Sequence, residues 1–256
     1  MAERLAQIPA ALSAIYNPPA ALYYEGDPSL LKRPLVAIVG SRIASNYAKT
    51  WTKKIASALS KAGAIVVSGG ASGIDGAAHE AAFPNTIAIL ASSIDMDDRK
   101  HIAQIKQNAL VLSEYDQGVT PRNWSFVHRN RLITGIAAAV CVMQAEPKSG
   151  SEASCNIALK QSKRLFALPH RLGESEATNR LLASAKASAI WSEETLLNAL
   201  GLRAAPALSD PLLRFAADRP SYDDALERFG ALIYEYELAG KIVVKDGRIE
   251  LADAGY

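Results

Sequence analysis

Residues 68–80, SGGASGIDGAAHE, interleave Gly69, Gly70, Gly73 and Gly76 with alanine and serine. Such glycines permit positive φ and let amide N–H groups turn toward a ligand at a helix N-terminus, which is the chemistry of a phosphate cradle. The spacing is not that of a dinucleotide fingerprint, and no Lys-Ser/Thr pair follows to make a nucleoside-triphosphate loop. Other candidates sit where an apolar run ends. Ser41 and Arg42 follow Gly40, and an arginine there can grip a phosphate with both arms of its fork. Lys148 and Ser149 open KSGS, a further anion-binding helix start. In FVHRNR, Phe126 offers a stacking face and Arg129 and Arg131 offer two cations. Residues two apart on a helix point about 200° apart, so one of these arginines faces a ligand while the other makes a structural pair, and the sequence leaves open which. Asp75 is a candidate helix cap or a contact to a sugar or base. The plainer alternative is that the glycines only allow tight turns and that Ser149 is a simple N-cap.

Nothing in the chain predicts catalysis. His79, His101, His128 and His170 are scattered, and Asp75 with Glu80 reads as a cap and a solvated helix face rather than an acid/base pair. Cys141 and Cys155 lack zinc spacing and cannot make a disulfide framework, which points to a reducing cytoplasm. The expectation is a binding protein with no catalytic residue, no metal and no cofactor.

The elements that position these residues follow from hydrophobic pattern. PLVAIVG, AIVVSGG, TIAIL, ALVLSEY, AVCVMQA and RLFALP are apolar throughout and alternate with helical segments, which predicts an α/β, doubly wound, mostly parallel Rossmann-like sheet covered on both faces. Ligands of such sheets bind beyond the carboxyl ends of the strands, so the loops at 40–42, 68–75, 144–151 and 168–179 should converge. The opening MAERLAQIPAALSAIYNPP has no basic region followed by a continuous apolar one and reads as a short helical extension over 1–30, ended by Pro18 and Pro19. The longest apolar run, GIAAAVCVM, is too short to cross a bilayer, so neither export nor membrane insertion is expected. The Rossmann-like domain is placed at 31–203, and an Ala-Ala-Pro-Ala linker leads to a small domain at 206–256. That domain promises three helices and a hairpin around Asp246-Gly247, a winged-helix-like pattern. It carries six basic and ten acidic residues against a whole-chain net of +2, so the body is at +6 and only the body favours a polyanion.

These motifs in this order, VAIVGSR, VVSGGASGIDGAAH, FVHRNRLITGIA, KSGSEAS, LFALP and ATNRLL, resemble the DNA-processing protein A (DprA, or Smf) family from about Leu35 to Trp191, and LIYEYELAGKIVVKDGRIEL resembles its C-terminal winged helix. The resemblance implies single-stranded DNA held in a basic pocket at the strand ends, a homodimer, and a cytoplasmic protein that protects incoming DNA and helps load a RecA-type recombinase in natural transformation. On that basis Ser41, Arg42, Gly69, Gly73, Asp75, Arg129, Arg131, Lys148 and Ser149 map onto family motifs. The chain departs from the pattern at Val127 and His128, at His170 and at Ala177, so the loop from His170 to Asn179 is expected to shape the pocket in its own way. The competing reading is a nucleotide hydrolase of the phosphoribohydrolase type, which needs a glutamate soon after the glycine loop, where this chain offers only Asp75. A dinucleotide oxidoreductase fails on glycine spacing and on Ser68, which stands where an acid would be required.

Overall fold

A computed structural model of the protein describes residues 2–202, 210–217 and 219–252. The chain divides into two compact units, 1–204 and 205–256. The expected Ala-Ala-Pro-Ala linker lies outside the described residues.

The first unit is built on strands β3 (Leu35–Gly40), β4 (Ile65–Gly69), β5 (Thr86–Ile89), β6 (Leu110–Ser113), β7 (Ala139–Gln144) and β8 (Arg164–Ala167), all mutually parallel. They alternate with helices α2 (Asn46–Lys61), α3 (Ile74–Ala82), α4 (Lys100–Asn108), α5 (Asn123–Ile136) and α6 (Gly150–Lys160). Helix α7 (Glu176–Ala183), a two-residue strand β9 (Ser188–Ala189) and α8 (Glu193–Leu200) complete it. Successive side chains of a strand face opposite ways, so β3 feeds two cores. Val36 and Ile38 pack under α2, α3 and α8 with Ile55, Leu59, Ile74 and Leu196. Ala37 and Val39 pack under the other helices with Ile102, Leu132, Cys155 and Leu181. Helix α2 shows how sequence sets such an element: the Ser45 hydroxyl accepts the Ala48 N–H at 3.2 Å to start it, and Ala48, Thr52, Ile55 and Leu59 form its buried stripe. None of the described helices is long and apolar enough to cross a membrane.

The N-terminal segment differs from the helical extension expected of it. Its helix α1 spans only Ala10–Ser13, while β1 (Glu3–Arg4) and β2 (Tyr23–Gly26) join the sheet antiparallel, β2 pairing with β6. Proline at position 9 lacks an N–H and drives the preceding residue out of the α region, so no helix can run through it. Before it Glu3 and Arg4 form a strand, and the Leu5 N–H donates to the Leu22 carbonyl at 2.8 Å. Leu12 and Ile15 then close over Gly135 of α5 so tightly that a Cβ there would lie 2.8 Å from the Ile15 side chain. The full strand order is β1-β2-β6-β5-β4-β3-β7-β8-β9.

The second unit holds helices α9 (Pro211–Ala216), α10 (Tyr222–Phe229) and α11 (Leu232–Leu238) and a hairpin of β10 (Ile242–Lys245) and β11 (Arg248–Leu251). Asp246 and Gly247 turn it with φ of 50° and 71°, the left-handed pair that an Asp-Gly turn supplies. Leu212, Ala216, Ala225, Ile233, Ile242 and Ile249 form its own core.

One buried polar group ties the first unit together at its centre. His79 of α3 sits between β4 and β5, its Nε2 2.7 Å from the Gly69 carbonyl and its Nδ1 2.7 Å from the Thr86 hydroxyl. A carbonyl only accepts, so Nε2 carries the proton, and the Thr86 hydroxyl has one proton to share between Nδ1 and the Val66 carbonyl 2.9 Å away. Burial holds this imidazole down to about 4, against an ordinary value near 6.5. The unfolded chain therefore binds a proton that the native state refuses, and stability present above pH 6.5 is lost as pH falls toward 4. At about 1.4 kcal/mol per unit the loss totals roughly 3 kcal/mol. Urea melts of wild type and His79→Gln across this range should show a steep decline for the former and a flatter one for the latter; parallel curves would mean that His79 is not buried neutral.

Candidate nucleic-acid interface

Four loops meet at the carboxyl ends of the parallel strands, and backbone contacts fix their mutual position. The loop after β3 is held by the Ser41 N–H donating to the Gln144 carbonyl at 3.0 Å and by the Ser45 N–H donating to the Gln144 side chain at 2.9 Å. The Ile74 N–H, at the start of α3, donates to the Ser41 carbonyl at 3.1 Å. Gly73 makes that approach feasible. Its φ is +81°, and a Cβ on it would fall 2.4 Å from the carbonyl oxygens of both Ser41 and Arg42. Gly69 is needed for a different reason: a Cβ there would lie 2.1 Å from Arg129 Nη1 and 2.5 Å from Asp75 Oδ2, so its missing side chain makes the room in which these two charges face each other.

Arg129 and Asp75 are both buried, Arg129 with 4% of its surface exposed. The arginine donates from Nη1 to the Ile89 carbonyl at 2.6 Å, while its Nε has no hydrogen-bond partner. Burial lowers its affinity for its proton to about 10, partly opposed by Asp75 and aided by the repulsion of Arg42 and Arg99. Burial also raises Asp75 above the usual carboxylate range despite the attraction of Arg129. Asp75 is not a helix cap. It accepts weakly from the Ala71 N–H at 3.4 Å, inside the glycine loop.

Arg42 is exposed and lays its guanidinium 4.7 Å above the centre of the Phe126 ring. Arg42, Phe126 and Arg129 together line both of two clefts. One, of about 480 Å³, runs past Ser41, Asp75 and the start of α6 at Ser149 and Gly150. The other, of about 400 Å³, runs past Gly70, Ser92 and Asp98. Ser149 is indeed the N-cap of α6, its hydroxyl accepting the Glu152 N–H at 3.1 Å, and it also lines the first cleft. Lys148 beside it is exposed, with a left-handed φ of 59°.

Of the two arginines on α5, only Arg129 is brought to the clefts. Arg131 turns away into a bidentate pair with Glu114, at 2.9 and 2.6 Å, and donates from Nε to the Asn17 carbonyl at 2.9 Å. The sequence reading overlooked the loop after β5, where Arg99 grips Asp97 and donates to the Gly70 carbonyl. Its only signal was the charged run DMDDRK placed between a strand and a helix. The thiols of Cys141 and Cys155 are buried and pushed up to about 12. No group of three or more His, Cys, Asp or Glu among the described residues is placed to hold a metal.

The geometry separates two roles for glycine. Gly73→Ala must push Cβ into immovable backbone and should cost about 2 kcal/mol or more, whereas Gly63→Ala, at the same φ of +81° but with nothing within 4 Å, should cost only the conformational strain of about 1 kcal/mol. Denaturant midpoints measure the difference, and equal losses would refute the close approach.

Comparison with known proteins agrees with this geometry. The family model described as DNA recombination-mediator protein A matches residues 3–201. Protein Smf of Synechocystis is 38% identical over 205 residues, covering 75% of this chain and 52% of that protein. DNA processing protein DprA of Bacillus subtilis is 34% identical over 203 residues, covering 76% of this chain and 68% of that one. The chain thus spans between about half and two thirds of the length of these curated relatives. Among solved structures, Helicobacter pylori DNA processing protein A, described for its single-stranded DNA binding mode, superposes with a TM-score of 0.76 at 42% identity, over 78% of this chain and 95% of that one. The Streptococcus pneumoniae protein superposes with a TM-score of 0.70 at 36% identity, over 75% and 70%. With the glycine loop, the arginine after β3 and the α5 motif all placed at one sheet edge, the chain belongs to the DNA recombination-mediator protein A family.

Proposed function

We propose that this chain binds single-stranded DNA at the strand-end clefts and works as a recombination mediator, without catalysis of its own. The observation that carries this reading is Arg42 stacked on Phe126 in clefts also lined by the buried Arg129: one cation is fixed, one is free to meet a phosphate, and an aromatic ring stands beside them. Backbone phosphates would supply most of the affinity, through counterion release, and base stacking the remainder. Ser41, Gly69, Gly73, Asp75 and Ser149 shape the clefts, Lys148 adds charge beside them, and Arg131 supports the fold rather than the ligand. The hydrolase alternative is weakened because, among the described residues, no glutamate lines either cleft. The similarity to a protein described by its single-stranded DNA binding mode supports the choice.

In the same reading the partners are single-stranded DNA, a RecA-type recombinase and a second copy of the chain, the compartment is the cytoplasm, and the setting is natural transformation. The small unit is read as winged-helix-like but not as the main DNA site. Its helix α11 presents Glu235 and Glu237 with no basic residue, and its exposed Leu238 suits a protein contact or support of a dimer better than a polyanion.

Titration of labelled oligo(dT) against free nucleotides tests the reading. Oligo(dT) should bind tightly with a log–log salt slope of about −0.7 per phosphate engaged. Arg42→Ala should weaken binding about ten-fold or more with a native circular dichroism spectrum, and Arg42→Lys should restore part of it because the charge returns without the fork. Normal oligo(dT) binding by a folded Arg42→Ala would reduce Arg42 to a surface residue, and preference for free nucleotides would favour the hydrolase.

The charge argument makes a separate prediction. A chain ending at Leu202 should keep most single-stranded DNA affinity, and the segment from Pro206 onward should bind neither duplex nor single strand at physiological salt in a gel-shift assay. Tight duplex binding by that segment would overturn it.

A further inference from the structure

Beside the clefts, on the far side of the β3 loop, lies a groove of about 500 Å³ lined by Tyr47, Pro169, His170, Arg171 and Glu174. It is made by the loop after β8, the one in which this sequence departs from its family at His170. The groove is held open by a set of fixed contacts. His170 Nε2 donates to the Met143 carbonyl at 2.8 Å, and Asn179 Nδ2 donates to the carbonyls of His170 and Glu174, each at 3.2 Å. The Tyr47 hydroxyl donates to the Pro169 carbonyl at 3.1 Å, and the tyrosine and His170 rings meet edge to face at 5.4 Å.

Two features of this groove are unexplained by folding. Its surroundings expose large apolar side chains, Ile43 at 91%, Leu172 at 99% and Tyr47 at 45%, although the tyrosine ring is pinned by its hydroxyl. The charges are also ordered. Strands β3, β7 and β8 are neighbours, and the loop at the carboxyl end of each carries one exposed cation, Arg42, Lys148 and Arg171. None of the three heads has a hydrogen-bond or ion-pair partner among the described residues. With strands about 4.8 Å apart, the loops that carry them form a row across the sheet edge. The row begins at the Phe126 clefts and ends at the Tyr47 groove. Ile43 lines the first cleft and Ser45 and Tyr47, two and four residues on, line the groove.

We propose that the groove is a second nucleotide subsite, in which a single strand leaving the Arg42 cleft crosses Lys148 and stacks a base on Tyr47 with its phosphate on Arg171. The inference rests on the single-stranded DNA reading above and extends it by giving the strand a direction along the sheet edge. Glu174, the acid of the groove, opposes the phosphate and tempers the site.

The test is anisotropy titration of the full chain with a short oligo(dT) that fills one cleft and with a longer one. Tyr47→Ala should leave the short oligonucleotide unaffected and weaken the longer one at least about five-fold, the lower end of a base–aromatic stack, while Tyr47→Phe keeps wild-type binding. Arg171→Gln should make the salt slope for the longer oligonucleotide shallower by about 0.7, and Glu174→Gln should tighten it. Circular dichroism and melting temperature verify the fold of each variant. Unchanged long-oligonucleotide binding in folded Tyr47→Ala and Arg171→Gln, beside a loss in Arg42→Ala, overturns the second subsite and leaves the first reading standing. Equal losses for both lengths overturn it too, as the mark of general damage. Failure of the wild-type chain to bind either oligonucleotide removes the single-stranded DNA reading and the subsite together.

Discussion

The architecture of the interface hangs on one steric constraint, the contact of residue 73 with the carbonyl oxygens of Ser41 and Arg42. Backbone cannot yield as a side-chain tip can, so only glycine allows α3 to begin against the β3 loop. That contact carries the Arg42 peptide to its place above α5, and from there its guanidinium reaches Phe126. It also aims α3 so that Asp75 and His79 enter the interior on either side of Gly69. Cleft, ion-carrying loop and buried network are thus three results of a single close approach.

The charges at the site divide by mobility. Arg129 is desolvated and fixed against the Ile89 carbonyl, so the electrostatic cost of placing a cation there has been met during folding by the surrounding packing. Arg42, Lys148 and Arg171 remain in solvent, where a long flexible side chain costs little until a ligand orders it. A site of this kind holds a permanent positive potential beneath adjustable arms. Asp75 prevents the potential from becoming excessive, and its raised proton affinity reflects how poorly the interior hydrates it.

The parallel sheet was legible because its six strands are apolar on both faces and most are followed by a helical pattern, α4 after β5 being the exception, with no capping residue to announce it. The convergence of the loops followed from the same rule, as did Arg42 and the glycines. What escaped has common physical causes. β1 and β2 are short, partly polar strands at the sheet's rim, and the pairing of β2 with β6 is set across more than eighty residues, a distance over which local pattern carries no information. The helical pattern of the N-terminus conceals the effect of Pro9, which lets no helix run through it. Arg129 and Arg131 are identical in type, and their fates were decided by Glu114 and Gly69, partners that lie far away in sequence. The groove at Tyr47 was equally hidden, since it needs the β3 and β8 loops side by side.

The antiparallel seat of β2 on β6 bears on how the chain tolerates trimming and how it emerges from synthesis. The strand is made early and must wait unpaired until residues 110–113 appear, so its tyrosines stay unpaired while more than eighty further residues are added. A shortened chain starting after Gly26 would retain every residue of the interface, yet it would leave the apolar β6 with a row of unsatisfied amides and carbonyls at the rim of the sheet. Such an open rim is the template from which edge-to-edge aggregation grows. The first residues, which reach the loop after β6 through the Tyr23 hydroxyl donating to Asp116 at 3.1 Å but line neither cleft, therefore guard solubility rather than recognition.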